Sequence, residues 1–254
     1  MQGMVPLSGF GGVPYSAVRK AAPRNILDNS DFTNLVAQAG IGGNHGTIAY
    51  AADRWILDSG TVSYEAGVGL TLNGTIRQKL EFPPTGETSA FVGMASGAAS
   101  ISYADGEVTI TSGGGVLKWA ALYGGVYSAA TMPDYQPKGY GAELLECQRY
   151  YFKYAGTYLT SGFLTTSATR YYFSIFMPVT MRVIPSCTMV GWKARTVDGY
   201  SKYTSSSFIA PTSLNVWHMS GNNLSVSDTI QTAVDTNNTI MAYEIKGLEC
   251  SADL

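Results

Sequence analysis

The chain has 254 residues, 16 Lys plus Arg against 18 Asp plus Glu, and a formal net charge of −2, with 13% of residues charged. That balance argues against nucleic acid as a partner, because neutralising phosphates needs clustered Lys and Arg; a 45% apolar fraction with 17 Tyr argues against a disordered chain. No apolar run reaches membrane-spanning length, the first residues lack the signal-peptide order of basic head, apolar block and cleavage site, and the three cysteines are odd in number and widely spaced, so Cys147, Cys187 and Cys250 are expected as free, mostly buried thiols in a reducing cytoplasm.

Residues 1–24 carry Gly3, Pro6, Gly9, Gly11, Gly12, Pro14 and Pro23 with little hydrophobic periodicity, and read as an extended arm. The Gly9-Phe10-Gly11-Gly12 run follows no strand, so it is not a phosphate loop. From Asn25 onward the pattern is one of short strands and turns. Three X-Gly pairs predict hairpins: Asn73-Gly74 between 68–72 and 75–82, Asp105-Gly106 between 98–103 and 107–112, and Asp198-Gly199 between 188–196 and 200–208. Ile76, Gln78, Leu80 and Phe82 alternate with Arg77, Lys79 and Glu81, giving one mainly apolar face.

Residues 143–154, ELLECQRYYFKY, predict the one helix. Leu144, Cys147 and Tyr151 fall on one stripe, with Glu143 and Glu146 early and Arg149 and Lys153 late, an order that suits the helix dipole. Beyond it, residues 171–177 (YYFSIFM) are too apolar for a strand with one wet face, and 239–248 predicts the last strand. The expected class is all-β: two antiparallel, jelly-roll-like β-sandwich domains joined by one short α-helix, with an extended N-terminal arm. The divisions fall at 1–24 (arm), 25–135 (first sandwich), 136–156 (linker and helix) and 157–254 (distal sandwich).

Several pieces, in order, resemble tail-fibre and receptor-binding proteins of bacteriophages and prophages. They are Pro23-Arg24-Asn25-Ile26-Leu27-Asp28-Asn29-Ser30-Asp31-Phe32, Ala52-Asp53-Arg54-Trp55, Ile76-Arg77-Gln78-Lys79-Leu80-Glu81, Glu143-Leu144-Leu145-Glu146-Cys147-Gln148-Arg149-Tyr150-Tyr151, and Met177-Pro178-Val179-Thr180-Met181-Arg182 followed by Pro185. Where relatives tend to end the first module on a Lys-Leu-Glu-type strand, this chain has Trp119-Ala120-Ala121-Leu122-Tyr123, so any role of that Glu does not transfer. The resemblance implies a carbohydrate-binding-module-like first sandwich, a distal tip domain, three copies, and a place in the virion after synthesis in the host cytoplasm. It also implies that the arm meets other virion proteins or threads between subunits.

Under that reading the expected activity is non-covalent binding of a bacterial surface glycan for host attachment, which three copies would strengthen through effective concentration. The ligand-binding candidates are aromatic and amide residues near turns: Asp198, Tyr200 and Tyr203 around one hairpin, and Trp217, His218, Asn222 and Asn223 in NVWHMSGNN. Rings cover the apolar face of a pyranose while amides and carboxylates meet its hydroxyls. Turn chemistry and trimer packing account for the same residues equally well. Trp55 and Trp192 are expected as core residues, Gln78 as a buried amide satisfied by backbone, and Asp53 and Arg54 as makers of local polar contacts.

No catalytic residue, cofactor or transition-metal site is expected. Cys147 with His45 or His218 could be cast as a nucleophile and base, but the thiol sits on the apolar stripe of the helix. A loop Ca²⁺ held by Asp and Asn oxygens stays open. The alternative reading is a capsid decoration or head-fibre protein without a specific receptor, followed by a glycan depolymerase and a secreted lectin.

Overall fold

The computed structural model describes residues 23–45, 47–164, 170–190, 193–197, 213–220, 223–229 and 240–252. The strands before the helix are β1 (Asn44–His45), β2 (Ile48–Ala52), β3 (Trp55–Glu65), β4 (Gly69–Lys79), β5 (Thr88–Ser96), β6 (Ala99–Ala104) and β7 (Glu107–Gly124). After α1 (Tyr140–Gln148) come β8 (Tyr151–Leu164), β9 (Arg170–Phe176), β10 (Ser186–Val190), β11 (Lys193–Val197), β12 (Ser213–Ser220), β13 (Asn223–Thr229) and β14 (Ile240–Ser251). Among the described residues all strand pairings are antiparallel and α1 is the sole helix. The all-β, antiparallel class read from the turns and strand lengths is therefore present.

The first sheet runs β1-β2-β3-β4-β7-β5, with β6 also on β7. Its axis is the 18-residue β7. One side of β7 carries β4, from Lys79 opposite Glu107 to Leu70 opposite Leu117. The other side carries β6 over its first part and β5 over its second. Past the end of β4 the incoming chain takes over that edge: Ile26 N donates to Leu122 O and Ala120 N donates to Ser30 O. Asn25 fixes this register with its side chain, donating to Ala120 O and accepting from Leu122 N. Alternation along β4 and β7 sends Leu70, Leu72, Ile76, Val108, Ile110 and Leu117 inward against Leu27, Phe32 and Trp55. Trp55 is the expected core anchor; its Nε1 donates to Asn29 O, and Phe32 meets it edge-on.

The second sheet runs β10-β14-β8-β9-β13-β12, with β11 also on β14. Its plan repeats that of the first. The long β14 has β8 along one side and the shorter β10 and β11 end to end along the other.

Three expectations need correction. Asn73-Gly74 makes no hairpin: both residues lie inside β4, and the β3–β4 turn falls at 66–68 instead. Gly74 faces Gly60 across the two strands, both with positive φ (145° and 90°). A Cβ on Gly74 would fall 2.0 Å from Ser59 O, so the dipeptide marks a close backbone approach. By contrast Asp105-Gly106 is the expected turn, with φ of 51° and 79° as a type I′ hairpin requires. The Asp198-Gly199 pair and Trp192 lie outside the described residues.

The helix is the second correction, ending at Gln148 instead of Tyr154. The aromatic run from Tyr151 is taken by the sheet, Tyr151 pairing with Ser251 and Phe152 with Cys250, which suits its β preference. Lys153 consequently leaves the helix for β8, where it pairs with Glu249 across the strands.

Third, Cys187 and Cys250 are joined by a disulfide, with Cα atoms 4.2 Å apart at directly opposed positions of β10 and β14. The odd cysteine count concealed a pair plus one thiol: Cys147 is free and buried. Cross-strand register, invisible in the spacing of the cysteines, brings the two together.

Candidate functional site

The densest polar constellation among the described residues lies where α1 and the start of β8 meet the first sheet. Its first component is Asn29, held at a φ of 49°. Its side chain donates to Val36 O and Asp53 O and accepts from Val36 N, so one amide ties three parts of the chain. Its backbone N–H donates to Glu143 Oε2 at 2.6 Å, which pins the first turn of α1 to this segment. Gln78, fully buried, does the same for Asp28: Oε1 accepts from the Asp28 N–H and Nε2 donates to its carbonyl. That is the satisfied amide the sequence suggested.

Arg54 sits in the β2–β3 turn with a φ of 72°. Nη2 donates to Lys79 O at 2.8 Å, Nε lies 3.4 Å from Asp28 Oδ2, and the guanidinium lies 3.5 Å from the Tyr150 ring centroid. Tyr150 in turn donates its hydroxyl to Glu81 Oε2 at 2.7 Å, and Arg149 Nη2 donates to Glu81 Oε1. Lys138 reaches Asp28 Oδ1 at 3.3 Å and Glu146 Oε2, and stands 4.0 Å from Glu143.

A second set of contacts runs alongside. Gln38 Nε2 donates both to Asp53 Oδ2 and to Tyr151 O at 2.7 Å. The buried His45 ring is stacked between Tyr50 and Tyr151, with centroids 3.9 and 3.6 Å away, and its Nε2 is 3.5 Å from Asp53 Oδ1. Backbone bonds from Arg182 N to Arg149 O and from Ala252 N to Tyr150 O bring in the second sheet's flanks. Asp53 and Arg54 therefore make polar contacts that are long-range as well as local.

Burial sets the protonation of this region. It pushes the Glu143 carboxyl up, against the opposing pull of the Asn29 N–H and Lys138, and Glu143 Oε1 has no hydrogen-bond partner among the described residues. It pushes the Tyr150 hydroxyl up, and the hydrogen bond to Glu81 adds to that. It pushes the Cys147 thiol well above its usual value, so the nucleophilic thiolate is suppressed. For Lys138, burial favours the neutral form, but Glu146, Asp28 and Glu143 outweigh it and raise the ammonium. Among the described residues no group of three or more His, Cys, Asp and Glu is placed to hold a metal ion.

Two concavities flank α1. The smaller, about 170 Å³, is lined by Asp28, Glu81, Phe82, Glu146, Arg149 and Tyr150 among others. The larger, about 460 Å³, is lined by Phe152, Tyr154, Ile175, Phe176, Met177 and Leu248, with Gln148 as one of few polar groups. Phe176, which lines it, is exposed, as are Val183 and Ile184 further along the chain.

The candidates chosen from sequence fall elsewhere. Asp198, Tyr200, Tyr203 and Asn222 lie outside the described residues. Trp217 and His218 are on β12 at an irregularity in its register with β13, and the half-buried Asn223 opens β13 opposite Ser220 and Phe176. Of the seven, these three share one hairpin. The residues around the smaller concavity, Phe82 apart, belong to the pieces that carry the resemblance, where their order along the chain does not mark them as a site. The signal that could have found them is charge: in a chain with 13% charged residues, the quoted pieces are dense in Asp, Glu, Arg and Lys. Comparisons with protein-family models, curated proteins and solved structures find no match for this chain.

Proposed function

We propose that this chain is a bacteriophage virion protein, the distal part of a tail fibre or similar appendage, which binds a bacterial surface glycan non-covalently for host attachment. In this reading each sheet belongs to a jelly-roll-like sandwich module, the first of the carbohydrate-binding-module kind. The observation that carries the proposal is where the resembling pieces meet. Asn29, Arg54, Gln78, Glu81, Glu143, Tyr150 and Arg182, separated by up to about 150 residues, belong to one continuous interlock around α1. A pattern whose members form one joint is a pattern for holding two β modules at a fixed angle. That suits an appendage that must transmit contact from tip to base, and the joint's charges are spent on each other instead of being poised for chemistry.

Fluorescent full-length protein added to host bacteria should coat the cells and should block phage adsorption. Light scattering should give roughly three times the 27.1 kDa chain mass. Absence of cell coating, with the protein located on the capsid by image reconstruction, would replace the proposal by the capsid-decoration reading. A specific feature favours keeping that second reading in play: the apolar 460 Å³ groove beside the exposed Phe176 suits packing against another chain better than it suits sugar.

A further inference from the structure

We infer that the smaller concavity beside α1 is a binding site for a single neutral hexopyranose, an inference that rests on the glycan recognition proposed above and gives it a location. The size fits one ring: about 170 Å³ falls below the roughly 300–1,000 Å³ of pockets for drug-sized ligands, which suits a single ring better than an oligosaccharide. The lining has the two-sided chemistry a sugar presents. Ile26, Leu80 and Phe82 supply apolar surface, and Asp28, Glu81, Glu146 and Arg149 supply hydrogen-bonding groups.

Phe82 is the group with no evident structural reason for its position. It is 76% exposed, the most exposed large apolar side chain among the described residues, although Leu80, two residues before it and just past the end of β4, is buried. Pro83 and Pro84 follow it and restrict the backbone, and Pro83 packs close to Gly106 in the β6–β7 turn, where an added Cβ would come within 3.0 Å. A ring standing in solvent at the rim of a polar hollow, on backbone restricted by the prolines that follow it, is a platform for the C–H face of a pyranose.

The polar groups are equally fixed in advance. Glu81 is oriented by Tyr150 and Arg149, Asp28 by Arg54 and Lys138, and Glu146 by Lys138 and Arg24. Arg149 nonetheless keeps 40% of its side chain exposed and Glu146 31%, so both remain open to a ligand. The lining carboxylates Asp28, Glu81 and Glu146 face the lining guanidiniums of Arg54 and Arg149, and Lys138 outside the lining pairs with Asp28 and Glu146, so opposite charges largely offset one another and favour a neutral sugar. The larger groove does not compete for this role, since its lining offers few groups to orient hydroxyls.

The test uses the full chain and three probes: the methyl glycosides of glucose, galactose and N-acetylglucosamine, followed by saturation-transfer NMR and titration. At least one glycoside should receive transfer on its ring protons, and Phe82→Ala and Arg149→Gln should each weaken its binding roughly tenfold, the scale of losing one central contact, while Trp217→Ala leaves it unchanged. Both substituted side chains are partly exposed, and an unchanged unfolding midpoint checks that the variants fold. Absence of transfer from all three glycosides overturns the inference, and so does full binding by Phe82→Ala. If Trp217→Ala abolishes binding while Phe82→Ala does not, the sugar sits on the distal hairpin; this inference then fails and receptor binding stands. If glycoside binding depends on Phe82 but the protein never coats host cells, the site stands and the attachment reading fails.

Discussion

β7 and β14 are the same device built twice and secured differently. Each is a long strand with one long partner on one side, which on β7 is continued past β4 by the incoming chain, and two shorter strands end to end on the other. β7 is secured by packing and polar knitting. Val108, Ile110, Leu117, Ala120 and Leu122 enter the core, and Asn25 and Asn29 stitch the incoming chain to it and its surroundings. The C-terminal end of β14 is secured covalently, by Cys187–Cys250, beside the buried Leu248. A core distributes stability over many contacts, and a bridge concentrates it in one bond between two strands. The difference teaches that the first sheet sets the geometry around α1 through its core and its amides, whereas the end of β14 is locked by a bond to a strand of its own sheet.

The largest expected effect comes from cutting the stitch on the first side. Asn29→Ala removes three buried side-chain hydrogen bonds and takes their partner from Val36 N and Asp53 O, while Val36 O keeps Asp53 N, in a residue whose φ of 49° alanine also tolerates poorly. Unfolding in denaturant should show a loss of about 3–5 kcal/mol. A loss below about 1 kcal/mol would mean that the three bonds do not hold this edge. Next comes the bridge. Its loop of 63 residues corresponds to about 4 kcal/mol of denatured-state entropy, so the double variant Cys187→Ala/Cys250→Ala should lose about 2–4 kcal/mol. Hydrogen exchange should rise in β10 and the end of β14 and stay unchanged in β4 and β7. Thiol titration of the unreduced, denatured protein should find the Cys147 thiol alone; detection of all three cysteines would remove the bridge and with it this half of the comparison.

Legibility in the sequence divides along the same line as the physics. Features decided by neighbours along the chain could be read: the Asp105-Gly106 turn, the alternation that buries Ile76 and Gln78, and the placement of Trp55 in the core. Features decided by strands meeting could not. Asn73-Gly74 has the composition of a turn, but Gly60 opposite it permits close backbone approach in mid-strand. Residues 151–154 continue a helical stripe, but β14 offers them a pairing edge that a helix cannot match. Cys187 and Cys250 are distant in the chain and adjacent in the sheet. For the site, a search for aromatics near turns led to the distal hairpins, whereas the structure gathers its charged residues and the exposed Phe82 at the joint. Which charges will neutralise one another, and where a hollow remains between them, depends on assembly in space.

The smallest expected effect separates packing from charge within the joint itself. The folded-state pKa of Glu143 lies above its ordinary value because burial outweighs the Asn29 N–H and Lys138. From the ordinary value near 4.5 up to the raised folded value, the native protein holds a proton that the unfolded chain has released. Glu143 therefore contributes a stability that is fully present below that window and lost as pH rises through it. Glu143→Gln keeps a carbonyl oxygen for the Asn29 N–H and carries no charge, so its stability at pH 7 should stay within about 1 kcal/mol of the parent. The gain in stability on moving from pH 7 to pH 5 should be smaller in the variant than in the parent, by denaturant unfolding at the two values. Equal changes in the two proteins would show that the carboxylate is stabilised as fully as it is in water. Lys138 would then compensate for its burial completely, and charge would share with packing the work of holding α1 to the first sheet.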